Sequence, residues 1–572
     1  MTEDLLGLSW VNWGVIAAYL LVITVLGLFA VRRVKDAASF FISDRKSGKL
    51  MMIFYTFGTG THSDQAVTVA AKTYRTGASG IWYQWLWLFS TPFYWVLAPV
   101  FRRMRAVTTA DFFHARYGPS VGLLYALVGM VQLMVNIGVM LKGSGEMITA
   151  VSGGTIPSFY AIAGMAVLFV IYGLAGGLNA AIVTDFVQGL LTIVLSFLIL
   201  PFALEAVGGL GGLRATVRNP DLFEIVAPGE ITAFYIFIIA LNGLIGWVTQ
   251  PHNLSLCAAG RTEMEGRVGL VAGILIKRVC TIAWVLTGLC AIGLYMSRDA
   301  VEVDHVFGLM ARDLLPSIGP GLVGLFIASM LAAVMSSCDA FMITASALFT
   351  ENVYRPFIAP SRDERHYLRV GRVVALVAVA GGIFFYSQFA SVVDGLEIFW
   401  KVMAMMGIAF WVGLFWRKAT PAGAWASTLV GFAVLLFTSR IEILGWDFNA
   451  CCAGALPDFM LWEGGLSLPW QMILYLAAGF ATLVTVSLFT RPVERERLDR
   501  IYSCLRTPVT TQEPEVKPFT LPAGVIPAER RVLVDHPDFE IPRPSLVSVA
   551  GFLAACGAVG LLIASFFWIL KG

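Results

Sequence analysis

About fourteen runs of roughly twenty apolar residues recur along the 572-residue chain, and no other feature restricts its fold as strongly. A run of this length crosses a bilayer as a helix, because a helix satisfies its backbone hydrogen bonds internally. Only 13% of the residues are charged, about half the share usual in soluble domains. We therefore expect an all-α, multi-pass membrane protein. The predicted spans lie near residues 11–31, 49–72, 79–101, 119–151, 156–174, 179–204, 231–251, 266–296, 320–353, 367–388, 392–416, 421–438, 468–490 and 546–570.

Lysine and arginine are concentrated in alternate loops, and this distribution predicts the orientation of the chain. Loops rich in these residues are retained in the cytoplasm. Such loops follow the spans near 11–31, 79–101, 320–353 and 392–416, and residues 491–543 are also rich in arginine. With an even number of spans, the N-terminus and the C-terminus are both expected outside, in the plasma membrane, and residues 491–543 form a cytoplasmic linker.

The net charge of +3 is small for a chain of this length, so nothing indicates a nucleic-acid partner. The sequence contains no CxxC motif and no His/Cys cluster with the spacing of metal ligands. We therefore expect no cofactor.

One predicted span carries more polar residues than a lipid-facing helix tolerates. Residues 55–74 read YTFGTGTHSDQAVTVAAKTY, with His62, Asp64 and Gln65 at membrane depth. Such side chains normally face a protein interior or a wet cavity. The preceding Gly-Thr-Gly-Thr run favours local unwinding, which is tolerated where the backbone lines a cavity. A kinked helix that packs through small residues is the alternative, but it leaves Asp64 and Gln65 unexplained.

A second polar interruption lies within residues 321–354, where Ser336, Ser337 and Asp339 fall in the middle of an apolar run. Ser336 and Asp339 are about one helical turn apart and share a face. Hydroxyl and carboxylate oxygens are ligands suited to a small alkali cation. Serine hydroxyls bonded to the preceding turn are the alternative, and they would suffice for the two serines alone. The neighbouring Asp339 makes an ion site the favoured interpretation.

Four motifs, in order along the chain, resemble those of the sodium–solute symporter family. Residues 172–188 read YGLAGGLNAAIVTDFVQ and resemble the family signature GG-L-x-A-x-x-x-TD-x-x-Q. The MSS and TENVY runs within residues 335–354 resemble its eighth core helix. Residues 108–118 and 414–431 resemble the segments that follow its second and tenth core helices. The resemblance extends from about residue 12 to 490.

This resemblance implies the LeuT fold, in which two five-helix repeats of inverted topology each begin with a broken helix. Residues 55–74 would contain the first broken helix, and Asn242 and Gln250 would interrupt its partner. The implied division of the chain is a leading transmembrane helix and cytoplasmic loop (1–48), the first repeat (49–204), an extracellular loop (205–230), the second repeat (231–418), two additional helices (419–490), the linker (491–543) and a last transmembrane helix (544–572).

The resemblance also implies a sodium site between the first and eighth core helices. Its ligands would be the carbonyl oxygens of Gly58, Thr61 and Ala333 and the hydroxyls of Ser336 and Ser337. An uncharged set of oxygens suits a monovalent cation.

Some members of this family carry a second sodium site, which here would use Asp185. The hydroxyl expected one turn beyond the serine pair falls on Ala340, which has none, whereas Asp339 is its neighbour. Two close carboxylates do not both ionise readily unless a cation lies between them. Asp185 and Asp339 would then bind a cation or share a proton. The alternative is that backbone groups or serine hydroxyls hold Asp339.

Polar residues of the core helices are candidates for the central solute pocket that the resemblance implies. They are His62, Asp64, Gln65, Gln84, Lys142, Glu146, Asn242, Gln250 and Lys277. Lys142 and Glu146 lie four residues apart, so a pair with each other explains them equally well. Lys277 lies near mid-membrane depth, where an unpaired cation would suit a carboxylate solute unless it extends to the interface.

We therefore expect sodium-driven secondary active symport of a small organic solute across the plasma membrane by alternating access. The expected partners are Na⁺, the solute and the lipid bilayer, and the monomer is expected to be functional. A proton-coupled or sodium-independent transporter of the same fold is the nearest alternative. A transporter-like sensor or a membrane enzyme is remote, because His62 and Asp64 lack a supporting catalytic group and residues 491–543 are short for a signalling domain.

Overall fold

The structure is a computed structural model, and it describes most of the chain. The described residues are 5–31, 47–227, 230–298, 301–439, 442–443, 446–447, 449, 454, 456–462, 464–511, 513–514 and 516–571. Within these ranges, the structure describes the backbone but not the side chains of residues 27–31, 172–183, 442–443 and 446–447. The glycine-rich part of the family signature therefore lies outside the described side chains, whereas Asp185 lies inside them.

Nearly all regular structure in the described residues is helical, and the α-helices are numbered in chain order. They are α1 (Trp10–Val31), α2 (Lys49–Gly60), α3 (Ser63–Thr76), α4 (Trp82–Trp85), α5 (Thr91–Arg103), α6 (Ala110–Tyr117), α7 (Pro119–Val151), α8 (Ser158–Phe197), α9 (Leu200–Ala206), α10 (Gly209–Thr216), α11 (Ala233–Trp247), α12 (Asn253–Ala258), α13 (Glu263–Tyr295), α14 (Val306–Leu314), α15 (Leu322–Phe349), α16 (Glu364–Tyr386), α17 (Val392–Ala404), α18 (Gly407–Phe415), α19 (Pro421–Thr438), α20 (Leu468–Phe489), α21 (Arg495–Arg506) and α22 (Leu546–Lys571).

Two short antiparallel hairpins lie between α19 and α20. They pair β1 (Glu442–Ile443) with β2 (Trp446–Asp447) and β3 (Leu461–Trp462) with β4 (Gly465–Leu466).

The apolar helices correspond to the predicted spans. Among the described residues, nine helices are long and apolar enough to cross a membrane. Three shorter apolar helices, Trp10–Leu26, Ser158–Ile171 and Ala233–Trp247, accompany them. The segments α2–α3 and α4–α5 are each divided into shorter helices, so no single helix in them is long enough to be counted as a span. They occupy the predicted spans near 49–72 and 79–101. The chain is therefore a multi-pass, all-α membrane protein.

One predicted boundary between spans is not seen as a helix end. The spans expected near 156–174 and 179–204 lie in the continuous, 40-residue helix α8. This stretch contains glycines but no proline. A glycine weakens a helix by about 1 kcal/mol without removing a hydrogen bond, whereas proline removes one.

Two membrane segments are broken, one at the start of each repeat. α2 ends at Gly60 and α3 begins at Ser63, while Thr61 (φ −125°, ψ 108°) and His62 (φ −121°, ψ 162°) are extended. α11 ends at Trp247 and α12 begins at Asn253. Pro251 lies in this second gap, and its nitrogen has no hydrogen to donate to a helix. The predicted broken helices are thus present.

α15 lies at the centre of the bundle and α22 at its edge. In the most apolar part of α15 and the turn after it, 89% of the residues are buried, and α15 packs against α1, α2, α7, α8 and α16. The corresponding share for α22 is 11%, and α22 packs mainly against α5. Side chains on α15 are therefore held rigidly by protein, whereas most of α22 is left to lipid.

Candidate functional site

The hydroxyl of Ser337 joins the first broken helix to α15. Ser337 Oγ lies 3.2 Å from the carbonyl oxygen of Gly58, 3.1 Å from that of Thr59 and 3.3 Å from that of Ala333. The last turn of α2 and the middle of α15 therefore bring three carbonyl oxygens and one hydroxyl to a single buried point.

Ser336, the second predicted hydroxyl, faces α8 instead. Ser336 Oγ donates to Asp185 Oδ1 at 2.6 Å, and Thr59 Oγ1 donates to Asp185 Oδ2 at 3.2 Å. All three side chains are fully buried. Each oxygen of the Asp185 carboxylate thus has a hydroxyl partner, and α2, α8 and α15 meet at this carboxylate.

Gly58 permits this close approach. A Cβ atom at this position would lie 3.2 Å from both the Asp185 carbonyl oxygen and Ser336 Oγ, closer than side-chain carbons normally come. The glycine is therefore needed to bring the end of α2 against α8 and α15.

Thr61 contacts this cluster only through its backbone. Its amide lies 3.4 Å from the Gly58 carbonyl oxygen, which is a long hydrogen bond. Its hydroxyl is buried and has no hydrogen-bond partner in the described structure. The five predicted sodium ligands are thus divided: Gly58, Ala333 and Ser337 are brought together, Ser336 turns to Asp185, and Thr61 lies at the break.

Asp339 lies one turn after Met335 on α15, and no hydrogen bond joins it to Asp185 in the described structure. The side chain is 1% exposed, and neither of its oxygens has a hydrogen-bond partner among the described residues. One turn earlier, Met335 Sδ contacts the Tyr19 hydroxyl at 3.9 Å. Gln188 Nε2 donates to the same hydroxyl at 3.3 Å, while Gln188 Oε1 is buried without a partner. A buried carboxylate with two free oxygens therefore lies near the meeting point of α1, α8 and α15.

A polar network surrounds the break itself. His62 Nδ1 lies 2.8 Å from Asp64 Oδ1, and Gln65 Nε2 lies 3.1 Å from the same ring nitrogen and 3.3 Å from the Gly60 carbonyl oxygen. Lys277, on α13, donates to that carbonyl oxygen at 2.5 Å. Asp64 Oδ2 and Gln65 Oε1 are buried without a partner. The break therefore offers a solute unused acceptor atoms, and the Lys277 ammonium group beside them forms no ion pair in the described structure.

The remaining pocket candidates on other helices are held by protein contacts. Asn242 Nδ2 donates to the Trp400 carbonyl oxygen at 3.0 Å, and Gln250 Nε2 lies 3.1 Å from Met403 Sδ. The Gln84 carbonyl oxygen accepts a hydrogen bond from Arg278, although Gln84 Oε1 has no partner. These residues tie helices together, and Gln84 alone among them has an unused buried acceptor.

Lys142 and Glu146 form the pair that their spacing predicted, with 3.3 Å between Nζ and Oε1. Glu146 Oε2 also lies 3.0 Å from His305 Nε2, which belongs to the turn before α14. This hydrogen bond, together with the Glu302 charge, raises the pKa of His305 despite its partial burial. Glu146 therefore fastens a loop over α7, and no contact directs it to the break.

Glu146, Glu302 and His305 place possible metal-ligand atoms within 4.8 Å of one another. The Lys142 ammonium group beside Glu146 opposes a second positive charge at that place. The carbonyl and hydroxyl oxygens around Ser337 are better suited to a monovalent cation, because they are uncharged and lie close to a single point.

The sequence analysis did not single out Thr59, Tyr19 or Gln188. Thr59 lies within the Gly-Thr-Gly-Thr run, and its hydroxyl is available to Asp185 because the helix ends one residue later. Gln188 ends the family signature but was given no role, and Tyr19 is an ordinary polar residue of a long apolar helix. The packing of α1 against α8 and α15 shows that the two residues meet.

Comparisons with known proteins identify one family. The model of the sodium:solute symporter family matches residues 40–431. The chain is 23% identical over 476 residues to a sodium/glucose cotransporter of Vibrio parahaemolyticus, which covers 75% of this chain and 85% of that protein. It is 24% identical over 464 residues to the sodium/pantothenate symporter of Escherichia coli (strain K12), covering 75% of this chain and 91% of that protein.

The fold is also similar to that of a solved structure. A substrate-bound, outward-open Na⁺-coupled sialic acid symporter superimposes with a TM-score of 0.72 at 18% identity, covering 85% of this chain and 99% of that one. This likeness shows the LeuT-like arrangement of two repeats that begin with broken helices. Taken with the match over residues 40–431, it shows that the chain belongs to the sodium:solute symporter family and is a sodium-driven symporter of small solutes.

Proposed function

We propose that the coupling sodium ion binds between α2 and α15, at the point where the Ser337 hydroxyl meets the carbonyl oxygens of Gly58, Thr59 and Ala333. The contacts of Ser337 are the observation that carries the proposal. With sodium bound, the Ser337 hydroxyl would keep its hydrogen and bind the ion through its oxygen, beside the three carbonyl oxygens. Thr61 and Ser336 would complete the ligand set after a small rotation of the break and of one side chain.

This location couples the ion to the solute through the broken helix. The Ser337 cluster holds the last turn of α2, and the solute candidates His62, Asp64 and Gln65 follow directly after the break. An ion bound at α15 would therefore fix the position of the residues that contact the solute, which is the differential interaction that coupling requires. Release of the ion would free the break. An inward membrane potential supplies about 2.3 kcal/mol per charge and 100 mV.

Asp185 and Asp339 are proposed as a second cation or proton site. Asp185 has two hydroxyl partners, whereas both oxygens of Asp339 are buried without one. A bare carboxylate in that position is costly, so it would carry a proton or accept a cation. A proton-coupled transporter of the same fold is therefore the second candidate function, and the two free oxygens of Asp339 are the observation that favours it.

The proposal extends to the membrane location, the orientation and the oligomeric state of the protein. We infer that it acts as a monomer in the plasma membrane, surrounded by lipid, with the N-terminus outside. If residues 156–204 cross the membrane twice, the number of spans is even and the C-terminus is outside as well. The lysine- and arginine-rich loops support this orientation. We expect neither enzymatic activity, nor a cofactor, nor a nucleic-acid partner, since the residues around the break contain no nucleophile that is activated by a base.

Thermal stability in detergent tests the sodium site before any solute is known. In the purified full-length protein, sodium chloride should raise the Tm by about 5 °C relative to choline chloride, because an ion that binds the folded state stabilises it. Ser337→Ala should remove this rise. Ser329→Ala is the matched control, because Ser329 lies on the same helix, is fully buried and has no hydrogen-bond partner in the described structure.

The opposite results identify the rival function. A sodium-dependent rise that survives Ser337→Ala would place the ion elsewhere. No rise in sodium, together with a pH-dependent shift in Tm that Asp339→Asn abolishes, would contradict the sodium site at Ser337 and would show that protons occupy the second site.

A further inference from the structure

The segment between α20 and α22 lies across one end of the helix bundle. We call residues 491–543 the strap. It contains the amphipathic helix α21, and the buried residues of α21 are Leu498, Ile501, Tyr502, Cys504 and Leu505. This segment was expected to be a cytoplasmic linker, yet the apolar side chains of α21 are packed against α5 and α6.

The helix ends beneath the strap form two groups. The first contains α5 and α13, which pack together with α2 and α12 as a four-helix bundle. Arg103 at the end of α5 binds Glu263 at the start of α13 through two hydrogen bonds of 2.7 and 2.8 Å. This bundle contains one half of each broken helix, α2 and α12, together with α5 and α13.

The second group contains α6 and the end of α18. The fully buried guanidinium group of Arg116, on α6, donates to the carbonyl oxygens of Gly413 at 2.9 Å, Trp416 at 2.8 Å and Ala419 at 3.1 Å. These three bonds fix α6 and the end of α18 to each other.

The strap binds the first group through a buried ion pair. Glu513 accepts two hydrogen bonds from the Arg105 guanidinium group, at 2.6 and 3.0 Å, and the two side chains are 1% and 5% exposed. Phe519 is also buried, and its amide donates to the Met104 carbonyl oxygen at 2.9 Å. Arg105 (φ 53°) and Phe519 (φ 55°) adopt left-handed backbone conformations that are unfavourable for such side chains. Residues held in this way often lie at elements that move.

The strap binds the second group through α21 and its own last residues. The Tyr502 hydroxyl donates to the Gly413 carbonyl oxygen at 2.8 Å, and Arg497 Nε donates to the Ala115 carbonyl oxygen at 2.6 Å. Arg417, just beyond α18, donates to Glu540 at 2.6 Å. One continuous segment is therefore attached to both groups.

We propose that the strap is a latch that holds the four-helix bundle against α6 and α18, with the Arg105–Glu513 pair as its catch. The proposal rests on the proposed alternating access, in which a bundle moves relative to the rest of the fold. Any opening between the two groups must release the strap from one of them. The strap therefore favours the conformation that is closed on its own side of the membrane, and its release accompanies opening on that side.

Cys504 reports whether the latch is closed. Its thiol is fully buried beneath the strap, 3.2 Å from the Arg103 carbonyl oxygen and 3.3 Å from Arg105 Nη1. Burial also raises the pKa of the Cys504 thiol, which keeps it protonated and slow to react while the strap is in place. Alkylation of this thiol therefore measures opening without a transport assay.

The experiment uses the full-length protein in which Cys504 is the one cysteine retained of eight. The rate of alkylation by N-ethylmaleimide is measured in sodium and in choline. Glu513→Gln should raise this rate at least about tenfold, because a buried arginine loses its charged partner. Glu529→Gln is the matched control, since Glu529 pairs with Arg531 in the same segment but both side chains are largely exposed. It should leave the rate unchanged.

Two further variants keep the test decisive if Glu513→Gln unfolds the protein. The exchange Arg105→Glu with Glu513→Arg should restore slow alkylation, and Tyr502→Phe should accelerate alkylation through loss of one bond alone.

Equal rates in folded Glu513→Gln and in the unaltered protein would overturn the latch. A rate in the unaltered protein that is the same in sodium and choline would show a fixed brace and would also overturn it. Loss of the sodium effect in Ser337→Ala is a separate result, because Ser337 is far from the strap in the fold and tests the ion site.

Discussion

The two broken helices share one topology but differ in how their polar groups are used. At the first break, Asp64 Oδ2, Gln65 Oε1 and the hydroxyls of Thr56 and Thr61 are buried without partners. At the second break, most polar side chains are bonded to protein. Thr249 Oγ1 lies 2.8 Å from the carbonyl oxygen of Gly246 and 2.6 Å from that of Met403, and Asn253 Nδ2 donates to the carbonyl oxygen of Trp247. His252 Nδ1 is buried without a partner in the described structure.

This difference indicates that the two broken helices have different roles. Unsatisfied buried polar atoms are uncommon in folded proteins, and an ion or solute is one reason for them. These unused atoms support the proposal that ion and solute bind at the first break. The second break is held to α17 and α20, since Asn242 binds the Trp400 carbonyl oxygen and the Tyr475 hydroxyl. It supports the first break through the hydrogen-bonding contact of 2.9 Å between Tyr55 and Ser255.

The largest expected effect is at the first break. Gly58→Ala should weaken the apparent sodium affinity at least about tenfold and cost about 1–3 kcal/mol of stability, because the added methyl group forces α2 away from Asp185 and Ser336. Sodium titrations followed by Tm measure both effects. Gly60→Ala is the control, since a Cβ atom there meets nothing within 4 Å. Equal sodium affinities in the two variants would contradict the close approach.

A smaller effect of a different kind is expected at the second break. Asn242→Leu should reduce stability by about 1–2 kcal/mol, because a hydroxyl and a carbonyl oxygen lose their partner. The sodium concentration at half-maximal stabilisation should not change. Tyr475→Phe removes one of the two bonds and should have a smaller cost. If Asn242→Leu instead shifted the sodium titration as strongly as Gly58→Ala, the two breaks would not differ in function.

The smallest effect concerns the loop that covers α3. The turn Val303–His305 packs against α3 and α7, and Glu146 raises the pKa of His305. Since the folded-state pKa exceeds the unfolded value of about 6.5, the stabilisation is fully present below that pH and is lost as pH rises through the raised value. His305→Gln should therefore cost about 0.5 kcal/mol at pH 5.5 and less at pH 8.5.

Chemical denaturation at the two pH values measures this cost. His366→Gln is the control, because His366 contacts the Tyr354 hydroxyl and has no ion pair in the described structure. A cost for His305→Gln that increases with pH would show that the neutral imidazole is the form that binds Glu146.

Local patterns predicted the parts of the site that lie close together in sequence. The Gly-Thr-Gly-Thr run before His62 predicted the first break, and the spacing of the serines predicted a polar face at the middle of α15. These features depend on helix periodicity and on the cost of burying polar groups, which the sequence displays directly.

Contacts between distant segments were beyond the reach of such patterns. Periodicity placed Asp339 on the same side of α15 as Ser336, but it did not reveal that Ser336 binds Asp185, whereas no hydrogen bond joins Asp339 to it in the described structure. The pairing of Arg105 with Glu513 joins residues 408 positions apart. In the sequence, both residues are charged residues in predicted loops, and nothing indicates that folding buries them. Residues 491–543 were therefore predicted to be a linker, and their attachment to the helix ends was not predicted.

The attachment of the strap at both ends has a consequence for how it would respond to its surroundings. α20 precedes it and α22 follows it, so the strap cannot diffuse away from the helix ends that it binds. Its effective concentration there is set by chain length alone, in about the millimolar range for a short flexible tether. Closing of the strap is therefore a unimolecular step, because no second molecule has to be encountered. The balance between bound and released strap is thus independent of how much transporter a cell makes.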